Sequence, residues 1–352
     1  SFTRQAAQGI TKAGLRTLMS LVNKSLITRS PDTGRYHMHV MLQQYAFEHL
    51  QSQPQSDRLR RDHCQYYLDA VHAQERGLKN YQQLDAITDI EYDLLNLRSA
   101  WDYALQMGLY DYLRRSAEAI ALFMMHSNRD REGGEWFKAT IDHLTATDAE
   151  TQMTRARLVP RWIFMRWNSS RKFDDLDALL GLADEVLKIA KAQLTAHDIA
   201  YNTVILGFLS TMAHNFEVSD TLYDEAYDRF RKLDDTYYMA FVLYRMGFIE
   251  AMKGRLDRLT EKTRRSLALR RKIGDVIGEG ASLNHLGVSL LFLGDFDSAD
   301  EYLSDAVKIL EPTGNLFNLA HTLANLGLLR FMAGDFERAY PLAQRANQHG
   351  RD

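Results

Sequence analysis

Cysteine is nearly missing from this 352-residue chain, Cys64 being the single one. A lone cysteine makes no internal disulfide, so a reducing, cytosolic compartment is expected. Proline is scarce too, five in all, which leaves room for long helices joined by short turns. Neither charge sign is in excess: 43 Lys and Arg stand against 46 Asp and Glu, a net charge of -3. Bulk charge therefore argues for neither nucleic acid nor disorder. No uninterrupted apolar run reaches the roughly 18 residues of a membrane span. The longest, Ala119 to Met125, reads as buried helix, no signal peptide opens the chain, and no membrane partner is expected. No G-x-x-x-x-G-K-[ST] loop is present, so the chain does not cradle a nucleoside triphosphate by itself. There is no nucleophile elbow and no zinc-spaced cysteine set. His63 adjoins Cys64, but neighbours on a helix point about 100° apart. A metal pair of His37 and His39 is not expected. No catalytic residue, metal site or resident cofactor is expected.

What the chain has is a beat. Leu206-Gly207, Met246-Gly247, Leu286-Gly287 and Leu326-Gly327 recur every 40 residues. Seven residues after the last three of these glycines come Gly254, Gly294 and Gly334; His214 holds that slot in the first copy. Two residues on stand Phe216, Leu256, Phe296 and Phe336, and ten beyond those the small Ala226, Ser266, Ala306 and Ala346. A copy from Phe173 to Ala183 precedes them at an offset of 43. The physical reading is a helix-turn-helix unit. One glycine lets two helices approach, at a cost in helix propensity. The next ends a helix in a left-handed turn, and Asp295 or Asp335 caps the following one. Such a unit cannot bury its apolar face alone, so copies stack. The sequence here resembles the tetratricopeptide repeat family in a roughly 40-residue form, over about residues 155–349 and most strongly over 240–349. The resemblance implies a mostly α chain with a right-handed α-α superhelix over 151–352.

In repeats of this kind the first helix of each pair lines the groove. The groove positions are Arg161, with Met165 nearby, then Tyr201 and Phe208, then Phe241, Tyr244 and Phe248, then Asn284. Aromatics with a few polar groups suit an effector protein, a peptide or a small apolar ligand. The same stripe also serves as inter-helix core.

The N-terminal 1–52 reads differently. Leu15 to Leu26, "LRTLMSLVNKSL", is amphipathic. Ile27 to Arg29 and Arg35 to His37 can pair across Ser30-Pro31-Asp32-Thr33-Gly34, a loop of turn formers. A helix from Val40 to Leu50 follows. Gln51 to Ser56 is polar and contains Pro54, a boundary signal. Residues 57–150 read as a helical bridge or degenerate repeats, with Leu94, Leu97, Trp101, Ala104 and Leu105 on one face. "LRTLMSLVNKSLI" followed by "YHMHVMLQQYAFEHL" resembles the winged-helix module of STAND signalling ATPases, the class that includes NB-ARC proteins and bacterial transcription activators. "IEYDLLNLRSAWDYAL" and "REGGEWFKATIDHL" are similar to the helices that follow it in bacterial members. The resemblance implies an N-terminally truncated winged helix and a regulatory, sensor role in transcription. It also implies an upstream ATPase domain in the same polypeptide, with ADP or ATP bound there. His39, in Met38-His39-Val40, matches the histidine that contacts the ADP phosphate in that family. Val40 stands where many relatives carry aspartate.

Two alternatives come from the residues themselves. Residues 253–272 hold nine basic side chains against two acidic ones, and the N-terminal fold is of a type that also binds DNA, so direct nucleic-acid contact stays open. Leu15 to Leu26 offers only Arg16 and Lys24 to phosphates. A protein-interaction scaffold with no nucleotide switch is the other.

Overall fold

The computed structural model describes residues 1–349, so the last three residues of the expected repeat segment lie outside it. The chain divides into two compact units, one of residues 1–75 and 88–120, the other of 76–87 and 121 onward.

In the first unit, α1 (Arg4–Thr11) and α2 (Leu15–Asn23) lead into β1 (Thr28–Arg29), β2 (Tyr36–His37) and α3 (Val40–Gln51). The Thr3 hydroxyl accepts from the Ala6 N–H and starts α1. The hairpin pairs Thr28 with His37 and Arg29 with Tyr36, as the turn-forming loop predicts, and Phe2 bridges to Tyr36 from the other side. Ala7, Leu18, Ile27 and Tyr36 make the small core beneath it. There follow α4 (Ser56–Ala73), α5 (Glu75–Leu78), α6 (Gln83–Gln106) and α7 (Tyr110–His126). The turn at 52–55 between α3 and α4 lies within the first compact unit. Gly9 of α1 lies against the Tyr66 ring of α4. Arg35 is buried, ion-paired with Asp93 of α6, and donates to the Ser1 hydroxyl at 3.1 Å. An unpaired arginine at this depth would be costly, so this pair ties the hairpin to the helices that follow.

The second unit contains α8 (Asp130–His143), α9 (Ala149–Ser170) and α10 (Leu176–Gln193). Four regular pairs then follow: α11 (Ala196–Met212) with α12 (Phe216–Lys232), α13 (Thr236–Met252) with α14 (Leu256–Ile273), α15 (Val276–Leu293) with α16 (Phe296–Leu310), and, after the short 3-10 turn Glu311–Thr313, α17 (Leu316–Met332) with α18 (Phe336–His349). Successive first helices begin 40 residues apart, and so do successive second helices. The turns explain the regularity. His214, Gly254, Gly294 and Gly334 all take positive φ, 59°, 71°, 84° and 79°. His214 therefore makes the glycine turn at the cost an L side chain meets in that region. Asp235, Asp275, Asp295 and Asn315 accept from the backbone N–H three residues on, each starting a helix. Asn215 and Arg255 make no such cap, in line with the weaker pattern in the earlier copies.

The small positions do what their spacing implies. Ala226, Ser266 and Ala306 have no exposed surface, and Gly287 lies so close to Leu303 that an added Cβ would sit 2.5 Å from its Cγ. Phe296 and Phe336, just after the turns, are 39% and 61% exposed. Helix α15 has the length and mean hydropathy, 1.3, of a membrane-crossing segment, which a search for unbroken apolar runs overlooks because Glu279, Asn284 and His285 interrupt it. Half of that window is buried. Leu283 and Leu286 pack with Leu267 and Ala306, and Leu290 and Leu291 with Leu303 and Leu326, so its apolar side chains serve the inter-helix core.

Candidate functional site

A cavity of about 1090 Å³ lies beside the last helix pair. Ala320, Ala324, Leu328, Phe331, Ala339 and Ala343 form an apolar part of its wall. Asn128, Asp130, Arg131, Asn168, Ser169, His321, Tyr340, Asn347 and His349 supply polar groups.

Of the expected groove residues, Arg161, Tyr201 and Phe208 are placed inside the helix packing, each exposed by 2% or less. Arg161 donates to the Arg157 carbonyl oxygen at 2.6 Å and lies 4.7 Å from the Tyr201 ring centroid. Arg157 and Asp198 form the adjoining ion pair at 2.6 Å. Phe208 meets Phe164, Trp167 and Phe173 edge-on at 5.5–6.2 Å. The bulk of these aromatic rings fills the space between the earlier pairs, and that volume is why the early positions are core and not lining. Met165 is buried as well. Phe241, Tyr244, Phe248 and Asn284 keep part of their surface exposed. Tyr244 packs on His285 at 4.8 Å, and Asn284 accepts from the Asn325 side-chain amide at 2.9 Å.

The cations of the groove were not among the sequence-selected residues. Arg245 lies over the Phe208 ring at 4.5 Å and over Phe164 at 5.4 Å. Arg171, just past α9, lies over Phe317 of α17 at 4.2 Å. The signal was available, since Arg245, His285 and Asn325 are spaced by 40 residues, but an aromatic search does not select it. The electrostatics follow from this crowding. Burial, with Arg245 and Arg270 adding to it, pushes the His285 imidazole down to about 4. Burial and then Arg171 push His321 down. Burial and then Arg245 lower Arg171 itself, against a pull from Asp130. Burial pushes the Asp130 carboxyl up to about 7, opposed by the 2.9 Å bond from Asn168 and by Arg171.

Backbone and side-chain bonds fix this end of the groove. Asn128 donates to the Gly314 carbonyl oxygen at 2.9 Å and accepts from the Phe317 N–H at 3.0 Å. Asn315 donates to the His126 carbonyl oxygen at 2.9 Å. Farther along, buried Gln83 donates to Asp275 and accepts from the Ile277 N–H, both at 3.0 Å.

The basic stretch 253–272 falls mainly on α14 and is paired in part. Lys253 pairs with Asp220, Arg265 with Glu261 and Arg271 with Glu279. Arg270 is buried and donates to the Gly278 carbonyl oxygen. Arg258, Lys262, Arg264 and Lys272 of the same stretch have no ion pair among the described residues, so cations that could meet phosphates remain.

His39 is placed in the first unit as the exposed N-cap of α3. Its Nδ1 accepts from the Met41 N–H at 3.3 Å. In the neutral ring this leaves the proton on Nε2, a free donor. Helix α3 has no buried residue, and Val40, Met41, Tyr45 and Phe47 are 48–68% exposed. Among the described residues, no group of three or more His, Cys, Asp or Glu is arranged to hold a metal.

Residues 278–346 match the tetratricopeptide repeat model, so the last two helix pairs are repeats of this type. Proteins of Mycobacterium tuberculosis and Mycobacterium bovis, provisionally named HTH-type transcriptional regulators, are 23% identical over 332 residues. That match takes in 89% of this chain and 36% of theirs, so the chain spans about a third of the length of these relatives. Among solved structures, aspartyl phosphate phosphatase F of Bacillus subtilis superposes with a TM-score of 0.54 at 12% identity, over 96% of this chain and 80% of that one. A STAND protein with a tetratricopeptide repeat sensor from Pyrococcus horikoshii gives a TM-score of 0.47 at 12% identity, over 99% of this chain and 60% of that one.

Proposed function

We propose that this chain is the winged-helix and sensor arm of a STAND-type signalling ATPase that regulates transcription. The repeat groove takes an effector, and the N-terminal unit docks on the nucleotide-binding domain of the same polypeptide. The observation that carries the reading is α3. A twelve-residue helix with no buried side chain and four exposed large apolar ones is unusual on a free surface and suits a docking face. His39 heads that helix with Nε2 unused by its cap, where it can donate to a phosphate oxygen of bound ADP. The helix N-terminus adds its own preference for an anion. Val40, in place of aspartate, contributes apolar contact instead of charge. The names of the mycobacterial relatives, and the motif resemblance on both sides of α3, support the regulatory assignment.

The mechanism is a population shift. With ADP bound, α3 and His39 hold the closed form. An effector opens the switch only to the extent that it binds the open form more tightly. The chain itself does no chemistry; it binds and transmits.

The docking face is tested by Tyr45→Glu in the whole polypeptide. A buried carboxylate in the interface raises basal ATP turnover, while the melting of the isolated 352-residue chain is unchanged because Tyr45 is 68% exposed there. Unchanged turnover would count against docking through α3.

A further inference from the structure

We infer that the cavity beside the last helix pair is the berth of a further helix of the same polypeptide, seated on α17 and α18 as α17 is seated on α15 and α16. Of the proposed function this uses only that the chain is part of a longer polypeptide.

The repeat period carries the inference. Leu291 of α15 and Leu303 of α16 share one core cluster with Leu326 and Leu329 of α17, and Val288 and Val307 pack against it. Leu291 and Leu303 are exposed by 1% or less. Forty residues on from Leu291, Leu303, Val288 and Val307 stand Phe331, Ala343, Leu328 and Asn347. All four line the cavity, and each keeps the surface that its counterpart covers. Phe331 is 59% and Leu328 42% exposed, and Ala343 and Asn347 are exposed as well. Phe336 and Tyr340, 61% and 67% exposed, line the same cavity. Large apolar side chains gathered in this way mark a docking surface.

The walls select a helix. Both α17 and α18 use their backbone groups internally, so an extended segment finds no ladder partner on them, whereas a helix arrives with its amides already paired. The cavity, about 1090 Å³, has room for about two turns of a helix 10–12 Å across. Ala343 and Asn347 of α18 stand where α16 has Leu303 and Val307, so close packing asks for larger apolar side chains on the incoming helix than α17 presents to α16. Arg131, Asn347 and the Tyr340 hydroxyl, also on the wall, suit the polar flank of an amphipathic helix.

The source follows from continuity. The second helix of each earlier pair packs against the helix that comes next in sequence, α12 against α13, α14 against α15 and α16 against α17. The same relation gives α18 the next helix, which the 40-residue period starts about 40 residues after Leu316. The chain spans about a third of the length of the mycobacterial relatives, so a polypeptide of their size has room for it.

The test compares amide hydrogen exchange of α18 in the whole polypeptide and in the 352-residue chain. Exchange is expected to be at least about tenfold slower in the whole polypeptide, since a covered helix opens less readily. Ala343→Glu is expected to abolish that difference, because its carboxylate falls in the berth. The same substitution should leave the melt of the 352-residue chain unchanged, Ala343 being exposed there. Gln344→Glu, the next residue on α18 and outside the cavity lining, is expected to leave the difference in place, which separates a blocked berth from a general folding defect. Equal exchange in the two wild-type proteins would overturn the inference. So would protection that appears in the 352-residue chain as its concentration rises, which would give the berth to a second copy. Neither result bears on the docking of α3, which the Tyr45→Glu turnover measurement decides separately.

Discussion

The side-chain amide of Asn315 donates a 2.9 Å bond to the backbone carbonyl of His126, 189 residues earlier in the chain. The same side chain accepts from the Asn318 N–H at 3.0 Å and so starts α17. One buried residue therefore caps a helix and fastens the last repeat to the C-terminal end of α7.

Asn315→Ala removes both bonds and leaves the His126 carbonyl oxygen unpaired. The expected loss is about 2–3 kcal/mol, the cap plus a buried unsatisfied acceptor. Asn315→Asp keeps the cap, loses the donor and places a carboxylate against that carbonyl oxygen. Urea unfolding of the two variants should show both below wild type; if either matches wild type, the clamp is not a stabilising feature.

The repeat glycines are not equivalent. A Cβ on Gly287 would lie 2.5 Å from Leu303 Cγ and 3.2 Å from the Ala299 carbonyl oxygen, whereas one on Gly327 meets nothing nearer than 3.4 Å. Gly287→Ala is expected to cost about 1–3 kcal/mol through overpacking. Gly327→Ala should be neutral or slightly stabilising, since alanine favours the helix by about 1 kcal/mol over glycine. Thermal melts that reverse this order would contradict the packing described.

Acid should weaken the second unit. The His285 imidazole is pushed from its ordinary 6.5 down to about 4 in the folded chain. The folded state therefore prefers the neutral ring, and the unfolded chain takes up the proton first. The contribution is fully present above pH 6.5 and is lost as the pH falls from there toward 4. His126 shifts in the same direction by burial. Replacing His285 by Gln should flatten the fall in stability between pH 6.5 and 4, read from urea midpoints; an unchanged slope would mean that His285 is solvated in solution.

Much of this architecture can be read in the sequence, and the reasons are local. Gly254, Gly294 and Gly334 mark turns that need positive φ, and Asp235, Asp275 and Asn315 cap helices through their own side chains. Such features need no knowledge of distant residues. The hairpin is legible for the same reason. The burial of Arg161, Tyr201 and Phe208 is not, because it depends on how Phe164, Trp167 and Phe173 fill the space between pairs. Arg171 over Phe317 and Asn128 on Gly314 join segments far apart in the chain, and no periodicity encodes them. The exposure of α3 is likewise hidden in its composition, since Val40, Met41, Leu42, Tyr45 and Phe47 are of types usually buried.

The central claim, that His39 holds an ADP-bound off state, is tested most directly by the ADP content of the purified whole polypeptide. Wild type and His39→Ala would be compared, with basal ATP turnover measured alongside. The account predicts that His39→Ala loses retained ADP and turns over faster, with a small loss of α3 stability from the missing cap. Full ADP retention in a folded His39→Ala protein would contradict it and leave His39 as the N-cap of α3 alone.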